Sequence, residues 1–402
     1  MALELLCPIK TYHWGKVGRT SLVAYLKQNA DFSFIANPNE SYAELWMGTH
    51  PSGPAIIKDN DMPLENWILQ KPSILGEKVL NTFGNNLPFL FKILSINMPL
   101  SIQVHPSQEK AKELNSSYPD VYKDPNHKPE LAIALSKFEA LCGFRPYDEI
   151  KQFLIDIPEL SKVIGEELVE KFVTSDESSV QCNLKFCFTS LMTASKTFVK
   201  SQLDAFLQRV RKMTDSQSSV LGDLLTKIYD YFPGDVGCFC IYFLNYLILE
   251  PDEAIFLPAN EPHAYISGDC VECMACSDNV IRAGLTPKYR DVETLCEILN
   301  YSTKSANSKI LFPEIENDFS TVYKPPVPEF AVCKINVSPG KEYHLIPRDS
   351  SSIFIVIDGS ASLEKVKISK GQVFFLNANN HFVINVSTNE EPLTLFQAFV
   401  NV

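Results

Sequence analysis

The chain lacks any excess of positive charge: 36 Lys and Arg stand against 48 Asp and Glu, for a formal net charge of −12 over 402 residues. That balance argues against nucleic acid or an anionic membrane as the main partner, because both need a large basic footprint. Long apolar runs are missing as well. The most apolar stretches, 87–102 and 237–249, are broken by Lys92, Asn97 and Asn245. They fall short of the roughly 18 residues that a spanning helix needs and are expected as buried strands or a helix end. The N-terminal segment carries no basic leader ahead of an apolar core, so no signal peptide is expected. A disulfide framework is absent too: the 11 cysteines are odd in number and scattered, as in reduced buried thiols. These absences point to a cytoplasmic protein that acts on a small molecule; a monomer is expected, although nothing in the sequence fixes the oligomeric state.

What is present is enough apolar sequence, 45%, for two or three cores at about 150 residues per domain. Between 147 and 231 the apolar residues Ile150, Phe153, Leu154, Ile157, Leu203, Phe206, Leu207 and Val210 recur at helical spacing. Pro146 and Asp148 mark the start of this block, Pro233-Gly234 its end, and 215–219 reads as a polar loop within it. Flanking it are short β-branched or aromatic runs at 89–96, 100–104, 131–135, 244–249 and 254–257, separated by Pro, Gly and Asn turns. The fold class is therefore mainly β with an inserted helical domain. The expected units are a discontinuous β domain, 1–147 and 236–324, a helical insertion, 148–235, and, beyond the Pro325-Pro326-Val327-Pro328 join, a β domain at 325–402. The segment around Asp358-Gly359, Gly371 and His381 parallels that around Asp252, Phe256 and His263, a weak internal repeat.

Three segments carry the chemistry. Alternation along a strand puts Gln103 and His105 on one face, and Pro106 ends the ladder at a cavity mouth. Glu130 opens the next strand, and His263 follows the turn Pro258-x-Asn260-x-x-His263, where Asn can take the left-handed conformation usually given to Gly. Two imidazoles, a carboxylate and an amide without thiolate suit a zinc-like ion with exchangeable positions. The run Cys270, Cys273, Cys276 is read as buried structural cysteine, since a strand alternates the thiols between faces.

The segments 101–106, 122–130 (with Asn126-His127-Lys128-Pro129-Glu130) and 278–288 (with Arg282-Ala283-Gly284 and Pro287-Lys288) resemble the signatures of the type I phosphomannose isomerase family, as do Trp14-Gly15, 44–51 and 261–265. The resemblance runs to about residue 291. It implies a cupin-type β-barrel (jelly roll) catalytic domain with inserted helices and a second C-terminal cupin-like barrel. It further implies one Zn2+ per chain on Gln103, His105, Glu130 and His263, and a reaction interconverting mannose 6-phosphate and fructose 6-phosphate through an enediol, feeding GDP-mannose and glycosylation precursors or mannose use.

Such a reaction needs ring opening, a base near C1 and C2, and a counter-charge for the developing oxyanion. Arg282 is placed for the charge, Lys128 for ring opening or sugar binding, and Glu272 for the base, with His127 and a metal-bound water as competitors. Lys288, Ser101 and Lys92 are the candidate phosphate contacts, and Trp14 a cavity wall. Two other readings compete: a cupin of different chemistry, such as a non-haem iron oxygenase, and a catalytically silent sugar-binding protein. Gln103 disfavours the former, since those iron sites use two His and one carboxylate. Arg282 and Lys288 disfavour the latter.

Overall fold

The computed structural model describes residues 2–213 and 218–402, so 215–217 of the expected polar loop lie outside the described residues. Its hub is the strand His263–Ala275, buried along nearly its whole length. The first part pairs with Phe138–Phe144 and touches Ile102–Val104 through His263. From Gly268 onward it pairs with Phe89–Ile96 and, at 270–274, with Glu130–Ala134. The change of neighbour falls at Gly268, whose φ is +117° and where a Cβ would lie 2.6 Å from the Lys137 carbonyl oxygen. Only glycine turns this sheet corner without strain.

Period-two alternation then decides what faces the cavity. Phe89, Phe91, Ile93, Leu131, Ile133, Val271 and Cys273 share the outer core, whereas Leu94, Ile96, Ala132, Ala134 and Cys270 form the inner cluster. Lys92, Glu130 and Glu272 follow the inner parity. Cys270 and Cys273 sit in different cores, which rules out a shared thiolate site.

The helical block runs from Tyr147–Asp156 to Gly222–Tyr231. Its core, built around Leu203, Phe188 and Phe206, also takes in Ile102, Val104, Ala264, Ile266, Ile281 and Ala283. The helices thus bury the backs of three strands and leave Gln103, His263 and Arg282 on the opposite face. Within the block, Arg209 forks onto Glu159 with donor distances of 2.9 and 2.7 Å.

At the C-terminus a nine-stranded sheet packs one face against the outer core and the other, across a second core, against a four-stranded sheet. It does not begin at residue 325. Glu314–Asn317 and Ser320–Tyr323 extend it on one side, and the N-terminal strand Ala2–Leu6 pairs with Val373–Leu376. The expected boundary falls in the loop between the strands Ser320–Tyr323 and Ala331–Val337, which pair because an open sheet edge gains from pairing with whatever strand reaches it. The expected repeat has a local counterpart. Strands Ala254–Leu257 and Val373–Leu376 both lead into a turn with Asn at positive φ, Asn260 at 66° and Asn379 at 57°.

Candidate metal centre

Gln103, His105, Glu130 and His263 converge on one point. His263 lies across the ladder from Gln103, and their side-chain nitrogens are 3.3 Å apart. His105 Nε2 is 3.3 Å from Glu130 Oε1, and His263 Nε2 is 3.3 Å from Glu130 Oε2. The αL turn at Asn260 is tied to the ligand strand through its backbone N–H, which donates to the His105 carbonyl at 2.8 Å.

The outer nitrogens of the imidazoles fix their roles. His105 Nδ1 is 2.6 Å from the Asn279 carbonyl oxygen and His263 Nδ1 is 3.0 Å from that of Glu261. A carbonyl only accepts, so each Nδ1 carries a proton, and the Nε2 of a neutral His105 turns a lone pair toward Glu130. Burial pushes His105 down to about 4 and keeps it neutral. Burial alone would raise Glu130, but the Lys128 ammonium beside it holds its carboxyl well below the usual range. His105 Nε2 and Glu130 Oε2 are buried without a hydrogen-bond partner among the described residues. Lone pairs aimed at a carboxylate in a dry site repel; a divalent cation between them removes the conflict. The three residues His105, Glu130 and His263 form the metal-binding cluster found among the described residues, and all three are buried. The donor set fits zinc.

A cavity of about 360 Å³ lies in front of these groups, and Trp14, Lys92, Ser101, Lys128, Glu272, Arg282 and Lys288 all line it. Trp14 both walls it and packs on the inner cluster. Lys128 Nζ stands 3.4 Å from Glu130 Oε1. The Arg282 side chain makes no hydrogen bond or ion pair among the described residues, so neither Asp278 nor Asp291 neutralises it. Lys92, expected beside the phosphate, instead bridges carboxylates: its Nζ lies 3.0 Å from Glu272 and 3.3 Å from Glu44. Register explains this, since Lys92 is the direct cross-strand partner of Glu272 on one side and of Trp46 on the other. Burial pushes the Glu272 carboxyl up, Lys92 opposes, and Glu130 and Glu44 add to the rise.

His127 is turned away. Its Nε2 pairs with Glu329 Oε1 at 2.7 Å and it lines a different cavity, because consecutive residues of an extended segment face opposite ways and Lys128 takes the inward position. The structure also adds groups that sequence reasoning missed. Glu44 accepts from Trp46 Nε1 at 2.5 Å, and His50 holds Asp278 at 3.4 Å on the cavity wall. Both come from the 44–51 and 278–288 segments, but nothing in the order of residues says that they meet.

Comparison with known proteins agrees with this arrangement. Residues 2–147, 160–244 and 320–368 match the family models for the catalytic domain, the helical insertion domain and the C-terminal region of type I phosphomannose isomerase. A human mannose-6-phosphate isomerase is 43% identical over 413 residues, covering 98% of this chain and 97% of that protein. This chain belongs to the type I phosphomannose isomerase family. Its fold is that family's mainly β, cupin-type architecture with a helical insertion, and the chain is an enzyme, an isomerase. A mannose-6-phosphate isomerase from Schizosaccharomyces pombe is 41% identical over 99% of this chain and 100% of its own length. Among solved structures, a mutant phosphomannose isomerase from Salmonella typhimurium superimposes with a TM-score of 0.85 at 29% identity, covering 100% of both chains. A mannose 6-phosphate isomerase bound with zinc and yttrium matches with a TM-score of 0.83 at 29% identity, again over 100% of both chains.

Proposed function

We propose that this phosphomannose isomerase interconverts mannose 6-phosphate and fructose 6-phosphate, with Gln103, His105, Glu130 and His263 holding one zinc ion. The observation that carries the reading is the buried set of lone pairs around Glu130, beside the carboxylate–ammonium pair Glu272–Lys92 and an unpaired Arg282. Bound zinc supplies Lewis-acid polarisation of the sugar oxygens. The rest falls to side chains. Glu272, buried and raised in pKa, is the group that takes the proton at C2 and returns it at C1. Lys92 keeps enough of that carboxyl ionised and fixes its direction. Arg282 faces the cavity with five donors free, so it stabilises negative charge on the enediol oxygens. Lys128 is placed to donate to the ring oxygen during opening. Lys288 and Ser101, both without side-chain partners among the described residues, take the phosphate.

We read the chain as a catalytic β unit interrupted by the helical insertion and followed by a C-terminal β unit that gathers Glu314–Tyr323 and Ala2–Leu6 into its sheet. The iron-oxygenase alternative fits less well, because Gln103 fills a position such a site keeps open. No helix among the described residues is long and apolar enough to cross a membrane. A cytoplasmic monomer that supplies precursors for GDP-mannose suits the acidic surface and the sugar-phosphate substrate. The test is a coupled assay for fructose 6-phosphate: conversion of mannose 6-phosphate but not of unphosphorylated mannose is expected. No conversion by the zinc-loaded protein rejects the reading.

A further inference from the structure

A second cavity, of about 500 Å³, opens beside the metal cavity, and the two share His13, Phe232, Thr286, Pro287 and Lys288 on their walls. It is formed where the helical insertion meets the segment after Arg282. Met192, Val199 and Val236 give it an apolar floor, and Lys196, Lys288 and Arg290 stand around it. The ammonium groups of Lys196 and Lys288 make no hydrogen bond or ion pair among the described residues, and the Arg290 guanidinium donates only to the Ala283 carbonyl, at 3.3 Å. Asp235 is the one acidic residue among the described residues lining the cavity. Its Oδ1 already accepts from the backbone N–H groups of Gly237 and Leu285, at 2.7 and 2.8 Å.

Elsewhere Lys92, Arg209 and Lys309 each meet a carboxylate, Glu272, Glu159 and Glu261 respectively. Lys196, Lys288 and Arg290 make no ion pair among the described residues and outnumber Asp235 on this lining, so they repel each other and focus a positive field in the space between them. A phosphate dianion relieves that repulsion. The helix Lys196–Val210 has no need of a lysine at its first position, where the dipole disfavours positive charge.

We infer that this cavity is an outer anion subsite, at which Lys196 and Arg290 receive the phosphate group of an incoming sugar phosphate before it passes Lys288 into the metal cavity. The inference rests on the isomerase reading and assigns the helical insertion a part in substrate capture.

The test uses the zinc-loaded enzyme with Lys196→Glu, a change that suits a helix start and so leaves the fold intact. At low ionic strength kcat/KM for mannose 6-phosphate is expected to fall about three- to tenfold with kcat and zinc content unchanged, and Lys196→Met to show a smaller loss in the same direction. The difference should fade at about 1 M salt, where the Debye length is about 3 Å. A readout independent of turnover is the rise in melting temperature given by inorganic phosphate, which should be smaller in Lys196→Glu than in the parent. Equal kcat/KM, equal salt dependence and equal stabilisation by phosphate in parent and variant overturn the subsite. A parent without isomerase activity rejects the reaction instead, while the phosphate stabilisation still decides the subsite.

Discussion

Arg282 lies directly across the antiparallel ladder from Gln103, whose partner on the other side is His263. Three adjacent strands thus carry two proposed metal ligands and a free guanidinium in one row on the cavity face. Cross-strand neighbours sit about 5 Å apart, so Arg282 is held beside the proposed metal site without bonding to Gln103 or His263.

That spacing separates two functions that share one row. Arg282→Ala should lower kcat by about 10²–10³, the usual effect of losing a preorganised charge partner in a water-poor site. Zinc content should stay at the parent's level, measured by elemental analysis of the dialysed protein. Loss of zinc in this variant would mean that Arg282 holds the site together instead of serving the reaction.

Glu272 is the buried carboxyl whose pKa is raised, first by burial, and Lys92 is the group that opposes the rise. Glu272→Gln should cost about 10²–10⁴ in kcat. Lys92→Met removes the opposing charge, so the carboxyl binds its proton more tightly. A base works only when deprotonated, so activity in Lys92→Met is lost at a higher pH as the solution is acidified. The acid limb of kcat/KM against pH reads this directly, and an unmoved limb would exclude Glu272 as the titrating base.

Gly268 turns the hub strand from one set of neighbours to the other at φ +117°, with the Lys137 carbonyl in the place a Cβ would take. Gly268→Ala should destabilise the protein by about 3 kcal/mol, combining backbone strain with a forced shift of the neighbouring strand. Urea denaturation followed by fluorescence measures it. A midpoint equal to the parent's would show that the corner tolerates a side chain.

Much of the site was legible because its signals are local. Alternation put Gln103 and His105 on one face, Pro106 ended the strand, and the Asn at position 260 stood where a left-handed residue was needed and has φ 66°. The helical block was equally plain from its periodicity. What could not be read depends on register between distant strands. Lys92 and Glu272 are 180 positions apart, and only the pairing of Phe89–Ile96 with His263–Ala275 shows that Lys92 serves a carboxylate and not a phosphate. The same holds for His50 beside Asp278, and for Ala2–Leu6, whose pattern carries no sign that its partner lies at Val373–Leu376. His127 and Lys128 were both offered by one motif, and the direction of the chain entering Pro129 decided between them.

In the proposed reaction a single zinc ion on Gln103, His105, Glu130 and His263 enables the isomerisation. The most direct test removes metal with a chelator, returns zinc in steps, and follows fructose 6-phosphate formed from mannose 6-phosphate, with His263→Ala in parallel. Activity should vanish on removal, return in proportion to zinc, level off at about one ion per chain, and stay absent in His263→Ala, which should retain no zinc. Full activity in the metal-free protein, or turnover by His263→Ala, would show that the isomerisation does not need zinc at this site.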